Sequence, residues 1–178
     1  MALILLRHTR PEGAEGMCYG RSDLPLADCF PAHAARLADE LPPVMRILSS
    51  PLSRCLKLAQ HIATARALPL VTDTRLIEMD FGRWEGQRWG AIPRHELDDW
   101  AADLEGANPH GGERVADLAT RSRETLLEAA QGATPALVVT HAGVIKAALA
   151  QSRGRAGWQA ELRFGQWLRL DATLTPMD

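Results

Sequence analysis

Two histidines of this chain each lie within two residues of the end of an apolar run. His8 comes after the apolar residues 2–6 and Arg7, and His141 comes after the Val-Val-Thr run at 138–140. Continuous apolar runs of this kind are typical of parallel strands that are covered on both faces. In an open parallel sheet, ligands bind beyond the carboxyl ends of the strands. If the two strands are neighbours, both imidazoles project into one crevice.

Two arginines would join the histidines in that crevice. Arg7 precedes His8, and Arg54 lies in the first turn of a helix predicted after the strand end at Ser49 and Ser50. A helix N-terminus offers unpaired N–H groups and the positive end of the helix dipole. Planar guanidinium groups bind phosphate oxygens in pairs. The combination predicts a site for a dianionic phosphate.

The same residues suggest covalent chemistry. Histidine can act as a nucleophile, and its phosphorylated form is labile enough for water to hydrolyse it. The leaving alkoxide needs a proton, which a nearby carboxylic acid can donate. Glu78 and Asp80 are the two candidates for this acid. A metal site formed by His8, His141 and Asp80 is a weaker alternative, because no metal-ligand spacing is present.

The elements that must position these residues alternate along the chain. Strands are predicted at 2–6, 46–49, 70–72, 135–140 and within 161–170. Helices are predicted at 31–41, 113–130 and 143–150. A further helix is predicted to have Ser50 as its N-cap and Pro51 as its first residue. This alternation predicts an α/β fold, a three-layer α/β/α sandwich with a mostly parallel central sheet. We expect residues 1–178 to form one domain, with a lid or insertion at about 80–112, the insertion segment.

The composition argues against several classes of function. The 178 residues carry a formal net charge of -2 and show no basic stripe, so no nucleic-acid partner is expected. The first apolar run ends at Arg7 and is too short for a signal peptide or a membrane span. Cys18, Cys29 and Cys55 form no Cys-x-x-Cys pair. We therefore expect reduced thiols in a cytoplasmic protein.

Four motifs carry a resemblance to a known family: Leu5-Leu6-Arg7-His8, Ser49-Ser50-Pro51-Leu52-Ser53-Arg54, Glu78-Met79-Asp80-Phe81-Gly82 and Thr140-His141-Ala142-Gly143-Val144. They are similar to motifs of the histidine phosphatase (phosphoglycerate mutase-like) superfamily and occur in its order. The helix start at Gly111-Gly112-Glu113 resembles the family too.

The resemblance implies the sandwich fold and a role for each motif. His8 would be the nucleophile, Arg7 and Arg54 the phosphate clamps, Glu78 the proton donor and His141 a further phosphate ligand. All five fall on positions that match the family motifs.

The chain departs from the family pattern after the nucleophile. The superfamily usually has Gly there, and this chain has Thr9, whose hydroxyl is a candidate phosphate contact. Arg21, in the Gly- and Pro-rich long loop at 9–29, is a candidate substrate contact or a solvated residue. His110 is expected to be solvated.

Two further runs, Cys18–Leu26 and Met79–Gly86, most resemble the alpha-ribazole phosphatases of this superfamily. The resemblance implies a metal-independent phosphomonoesterase without cofactor, with alpha-ribazole 5'-phosphate of cobalamin biosynthesis as the favoured substrate. Trp84, Trp89 or Tyr19 could supply a flat apolar wall for such a substrate. The alternatives are a mutase-like phosphotransferase, a protein phosphohistidine phosphatase and a non-catalytic phosphate-binding regulator. A monomer or homodimer without a membrane partner is expected.

Overall fold

The computed structural model describes residues 2–177, so Met1 and Asp178, the ends of the predicted domain, lie outside the described residues. The strands are β1 (Leu3–Arg7), β2 (Arg46–Ser49), β3 (Leu70–Thr72), β4 (Ala136–Thr140), β5 (Trp167–Leu170) and β6 (Pro176–Met177). They form one sheet in the order β3-β2-β4-β1-β5-β6. Strands β1 to β4 are parallel, and β5 is antiparallel to its neighbours β1 and β6. The prediction of a mostly parallel sheet is confirmed.

The helices are α1 (Phe30–Glu40), α2 (Ser53–Arg66), α3 (Arg94–Ala102), α4 (Val115–Gln131), α5 (Ala142–Arg153) and α6 (Arg155–Trp158). Single 3-10 turns lie at Thr74–Leu76, Gly82–Trp84 and Trp89–Ala91. None of the helices within residues 2–177 has the length and apolar character that a bilayer crossing requires.

Successive residues of β1 pack on opposite faces of the sheet. Leu3 and Leu5 belong to an apolar cluster that includes residues of α4 and α5. Ile4 and Leu6 belong to a second cluster that includes residues of α1 and α2. Because a strand alternates its side chains between faces, β1 is buried on both sides. The three layers are therefore α1 and α2, the sheet, and α4 and α5, as the sequence predicts.

Helix α2 begins at Ser53, two residues after the predicted start at Pro51. The backbone of Leu52 is still extended, with φ -62° and ψ 139°. The hydroxyl of Ser50 lies 2.8 Å from Nε2 of His141 and accepts from the backbone N–H of Leu52 at 3.4 Å, a residue that precedes the helix. The predicted N-cap was wrong, although Arg54 does lie in the first turn of the helix.

The insertion segment consists of two 3-10 turns and α3, joined by loops. Trp84 and Ile92 form a small apolar cluster with Cys18 of the long loop. Glu85 binds the same loop through the backbone N–H of Ser22 at 2.8 Å. These contacts fix the insertion segment against the long loop, at the edge of the sheet where β1 and β4 end.

Candidate active site

The ends of β1 and β4 lie side by side in the sheet. Arg7 pairs with Thr140, and the backbone N–H of His8 donates to the carbonyl of Thr140 at 3.0 Å. The ring centroids of His8 and His141 are 5.2 Å apart in an edge-to-face arrangement. The two imidazoles therefore share one crevice beyond the carboxyl ends of parallel strands, where this type of sheet binds its ligands.

His8 is held as a neutral imidazole of defined tautomer. Its side chain is 2% exposed, and Nδ1 lies 2.7 Å from the carbonyl oxygen of Thr9. Because a carbonyl oxygen can only accept, Nδ1 carries the proton and Nε2 keeps the lone pair. Burial, followed by the positive charge of Arg54, lowers the pKa of His8 to about 3. The Nε2 atom is thus unprotonated at neutral pH, which is the form in which histidine can act as a nucleophile.

His141 is buried beside His8 and is also neutral. Its Nε2 lies 2.8 Å from Oγ of Ser50 and 3.4 Å from Sγ of Cys55. Burial, followed by electrostatic coupling to the adjacent His8 ring and by the positive charge of Arg54, holds the pKa of His141 well below its usual range. A bound oxyanion would favour the protonated form of either ring, so this pair can respond to phosphate.

The two arginines differ in what their guanidinium groups contact. Arg7 lines the cavity, with Cζ 3.9 Å from the centroid of the Phe164 ring and one terminal nitrogen donating to the carbonyl of Leu162 at 2.5 Å. Arg54 is fully buried behind it, and its terminal nitrogens donate to the carbonyls of Ser22 at 2.8 Å and Gly20 at 2.5 Å. In this conformation Arg54 holds the long loop, while its charge acts on His8.

Three buried polar atoms of this region have no hydrogen-bond partner among residues 2–177. They are Nε of Arg7, Oγ1 of Thr9 and Nε of Arg54. Buried polar atoms are almost always hydrogen-bonded, so each exception needs a reason. All three can donate, and all belong to residues predicted to bind phosphate. An oxyanion ligand is the simplest partner for them.

Glu78 brings a carboxyl group to the cavity. Its Oε1 accepts a hydrogen bond from the backbone N–H of Met79 at 2.9 Å, and Oε2 accepts one from that of Gly143 at 3.0 Å. A Cβ at Gly143 would lie 2.2 Å from Oε1 of Glu78, so a side chain there would displace the carboxyl group. The glycine of the Thr140–Val144 motif is therefore what allows the carboxyl group to reach the start of α5.

A cavity of about 740 Å³ opens beside Arg7, His8 and Glu78. That volume lies within the usual range for small-molecule sites. The long loop, the insertion segment and residues 158–164 supply most of its walls. Its aromatic lining consists of Tyr19, Phe81, Trp89, Trp100, Trp158 and Phe164.

Sequence reasoning missed Lys146, which lines the same cavity from α5. Its side chain is half-buried, and burial, followed by the charge of Arg7, lowers its pKa. Among residues 2–177, no side chain forms an ion pair or hydrogen bond with its ammonium group. A lysine on a helix usually lies on a solvated face. The available signal was its position three residues after Gly143, which places both on one helix face.

Comparison with known proteins identifies the family. Residues 3–171 match the sequence profile of the histidine phosphatase superfamily (branch 1). The chain belongs to this superfamily. The four motifs that carried the resemblance supply the residues at the ends of β1 and β4, Arg54 in α2, and Glu78. These residues lie around one histidine phosphatase site.

The chain is similar in sequence to named proteins that differ from one another in length. The chain is 33% identical over 169 residues to glucosyl-3-phosphoglycerate phosphatase of Mycolicibacterium vanbaalenii, covering 85% of this chain and 74% of that protein. It is 33% identical over 154 residues to a bifunctional protein of Mycobacterium tuberculosis, covering 81% of this chain. The chain spans only 42% of the length of that second relative.

A solved structure supports the resemblance to the alpha-ribazole group. The alpha-ribazole phosphatase from Shigella flexneri superposes with a TM-score of 0.81 and 26% sequence identity. The match covers 96% of this chain and 90% of that chain. The fold and the resemblance are thus confirmed together, and superfamily membership supports a phosphatase or mutase enzyme.

Other predicted residues of this histidine phosphatase lie away from the cavity. Arg21 is half-exposed, and its guanidinium approaches Asp80 and Glu113, each at 3.7 Å. Asp80 accepts a hydrogen bond from the N–H of Gly82 at 2.8 Å. No group of three or more His, Cys, Asp or Glu side chains within residues 2–177 is placed to hold a metal ion.

Two aromatic predictions were wrong. Trp84 is 1% exposed and donates its indole N–H to Glu96 at 2.7 Å, so it belongs to the core of the insertion segment and not to the cavity wall. His110 is buried rather than solvated, because the rings of Trp84, Trp100 and Phe81 surround it. Trp89 and Tyr19 do line the cavity, as predicted.

Proposed function

We propose that the protein is a phosphohydrolase that removes phosphate from a small phosphomonoester through a phosphohistidine at His8. The observation that carries this proposal is the neutral His8 ring beside unpaired donors on Arg7, Thr9 and Arg54. Nucleophile and phosphate donors lie together, which is what phosphoryl transfer requires of a protein.

In the first step, Nε2 of His8 forms a bond to phosphorus as the ester oxygen leaves. Glu78 donates a proton to that oxygen, so the product departs as an alcohol. In the second step, water attacks the phosphohistidine, the N–P bond breaks, and the Glu78 carboxylate accepts the proton from the water. Arg7, Arg54 and His141 stabilise the charge on the transferred phosphoryl group.

Arginine charge would replace a metal ion in this mechanism. The Arg7 and Arg54 guanidinium groups supply positive charge beside His8. We expect activity to survive EDTA, and vanadate to inhibit competitively because it mimics the transferred group. Loss of activity on chelation, restored by a divalent cation, would contradict metal independence.

The test of the phosphohistidine is direct labelling. The protein is mixed with a ³²P-labelled phosphoester, quenched, and digested. We expect acid-labile label on the peptide that contains His8. Label on a serine-bearing peptide, or on His141, would contradict the proposed nucleophile.

We propose alpha-ribazole 5'-phosphate of cobalamin biosynthesis as the favoured substrate. Two features support it: the aromatic wall formed by Tyr19, Trp89 and Trp100, which suits the ring system of a nucleoside-like leaving group, and the resemblance to the Shigella flexneri enzyme.

A second candidate is a phosphoester with a carboxylate on the leaving group, such as glucosyl-3-phosphoglycerate, the compound in the name of the Mycolicibacterium relative. Lys146 favours it, because its half-buried ammonium lies within 4 Å of no carboxylate in residues 2–177 and so can bind a second anion, although the charges of Glu78 and Glu161 also act on it. Arg163 also lines the cavity.

The two candidates are separated by comparing kcat/KM side by side. The panel contains alpha-ribazole 5'-phosphate, glucosyl-3-phosphoglycerate, nucleoside monophosphates, 3-phosphoglycerate and a phosphohistidine peptide. The preferred substrate should exceed the others by at least about tenfold, which is roughly 1.4 kcal/mol. A preference for the carboxylated ester would overturn the ribazole assignment and leave the phosphatase proposal intact.

We propose that residues 1–178 form one domain and that the protein works as a monomer or homodimer in the cytoplasm, without nucleic-acid or membrane partners. Free thiols support a reducing compartment: Cys18 and Cys55 are buried, and Cys29 is exposed.

A further inference from the structure

An ion pair outside the cavity holds the chain segment that carries Glu78. Arg121 of α4 binds both carboxylate oxygens of Glu113, at 2.6 and 2.8 Å. The same guanidinium donates to three backbone carbonyls, those of Arg75 at 2.7 Å, Ile77 at 2.6 Å and Glu78 at 3.2 Å. One side chain therefore fixes the backbone just before the carboxyl group and at that residue itself.

Glu113 holds the other side of the same segment. Its backbone N–H donates to the carbonyl of Asp80 at 2.8 Å, and its carboxylate accepts from the N–H of Asp80 at 3.4 Å. The side chains of Glu113 and Arg121 are only 11% and 18% exposed. Desolvating an ion pair is costly, and that cost is offset only when geometry and further hydrogen bonds are good. Here one guanidinium makes five hydrogen bonds, three to backbone carbonyls of the segment and two to the Glu113 carboxylate.

We propose that Arg121 and Glu113 are positioning residues that aim the Glu78 carboxyl group at the leaving-group oxygen. Neither lines the cavity, so they act through Glu78. The carboxyl group itself has two backbone donors, Met79 and Gly143, and its reach into the cavity depends on where its backbone lies. A shift of about 1 Å in a reacting group can cost about 100-fold in rate. This inference rests on the proposed role of Glu78 as proton donor.

The chain offers a matched control for removing such a guanidinium. Arg66, at the end of α2, also donates to three backbone carbonyls, those of Ala38 at 2.6 Å, Leu41 at 2.6 Å and Pro42 at 2.9 Å. It does not line the cavity. Both variants therefore remove a guanidinium that binds three backbone carbonyls. Arg121→Lys does so beside Glu78, and Arg66→Lys does so at a site remote from Glu78.

The experiment measures kcat/KM on glycerol 3-phosphate, whose alkoxide needs a proton, and on p-nitrophenyl phosphate, whose leaving group does not. We expect Arg121→Lys to lose about 10- to 100-fold on the first substrate and about threefold or less on the second. Arg66→Lys should lose thermal stability without changing the ratio of the two values. Equal losses on both substrates for Arg121→Lys would overturn the positioning role.

Two further variants keep the outcome decisive. If Arg121→Lys does not fold, Glu113→Gln takes its place with the same two substrates and the same criterion. In the Glu78→Gln background, the Arg121→Lys change should add little loss on glycerol 3-phosphate, because the group it aims is already gone. If Glu78→Gln itself shows equal losses on both substrates, the proton-donor role fails. If only the Arg121 and Glu113 variants show equal losses on both substrates, the positioning role fails and the proton-donor role of Glu78 stands.

Discussion

The cavity has two ends that are built in different ways. The phosphate end consists of Arg7 and His8, which line the cavity where β1 ends, and of Arg54 and His141, which are buried next to His8 in the first turn of α2 and directly after β4. Both histidines and Arg54 are 2% exposed or less. The leaving-group end is the aromatic wall supplied by the long loop, the insertion segment and residues 158–164.

This difference separates chemistry from specificity. Side chains on packed strand ends are held in one geometry, whereas loops vary more readily in sequence and position. Variants at the phosphate end should therefore damage turnover of every ester. Variants at the leaving-group end should damage some esters and spare others.

The largest effect is expected at the nucleophile. His8→Asn keeps a side chain in the buried position but removes the attacking Nε2, so turnover of every ester in the panel should be abolished. Steady-state rates and circular dichroism measure activity and folding, and His33→Asn, on an exposed face of α1, is the control. Retained turnover of even one ester would break the distinction between the two ends.

The next largest effect is expected at Glu78, which stands where the two ends meet. Glu78→Gln keeps one of the two acceptor oxygens and removes the transferable proton, so alkyl phosphates should slow by about 10²–10⁴-fold. The loss should shrink for p-nitrophenyl phosphate, whose leaving group needs no proton. Comparable losses on both esters would make Glu78 part of the phosphate end, where it would orient the phosphoryl group.

The two ends also differ in how far the sequence predicts them. The phosphate end follows from motifs, because a polar residue at the end of an apolar strand has a position that topology dictates, as for His8 and His141. The two histidines meet only because β1 and β4 are neighbours in the sheet. The sequence does not give the order of the strands, so this adjacency had to be assumed.

The leaving-group end has no such rule. Trp84 and Trp89 are five residues apart in similar surroundings, yet one is core and the other lines the cavity. Aromatic residues in loops have no periodicity that would assign a face, so sequence alone could not separate them. Trp158, the last residue of α6, and Phe164, in the loop after it, were also missed, since their role depends on residues 158–164 lying against the cavity, which no sequence pattern indicates.

A smaller and selective effect is expected for Lys146. Lys146→Met should lower kcat/KM for carboxylated esters by about tenfold, the scale of one charge-assisted hydrogen bond. Esters with uncharged leaving groups should change little. The chain has one other lysine, Lys57, which is exposed on α2, and Lys57→Met is the matched control. A uniform loss across the panel would mean that Lys146 binds the transferred phosphate, which would move it to the phosphate end.

The smallest effect is on stability and concerns the phosphate end alone. The pKa of His8 is about 3 in the folded protein and 6.5 as its ordinary value. Between these pH values the unfolded chain binds a proton that the folded chain does not. Because stability rises with pH wherever the unfolded state binds more protons, the free energy of unfolding should fall as pH is lowered from about 6.5. Above that pH the group contributes nothing to the slope.

This pH dependence can be assigned to His8 by substitution. Urea unfolding is measured between about pH 5 and 7, above the range in which most carboxylates titrate. His8→Asn should make the fall in unfolding free energy less steep by the share of one histidine, since the buried His141 and His110, whose pKa values are also lowered, keep theirs. The exposed-site variant His33→Asn should match the parent protein. Vanadate should also reduce the fall, since an oxyanion beside the ring favours its protonated form. A parent slope that persists unchanged in His8→Asn would show that the ring is already solvated in the folded state, and the phosphate end would then be no more rigid than the loops opposite it.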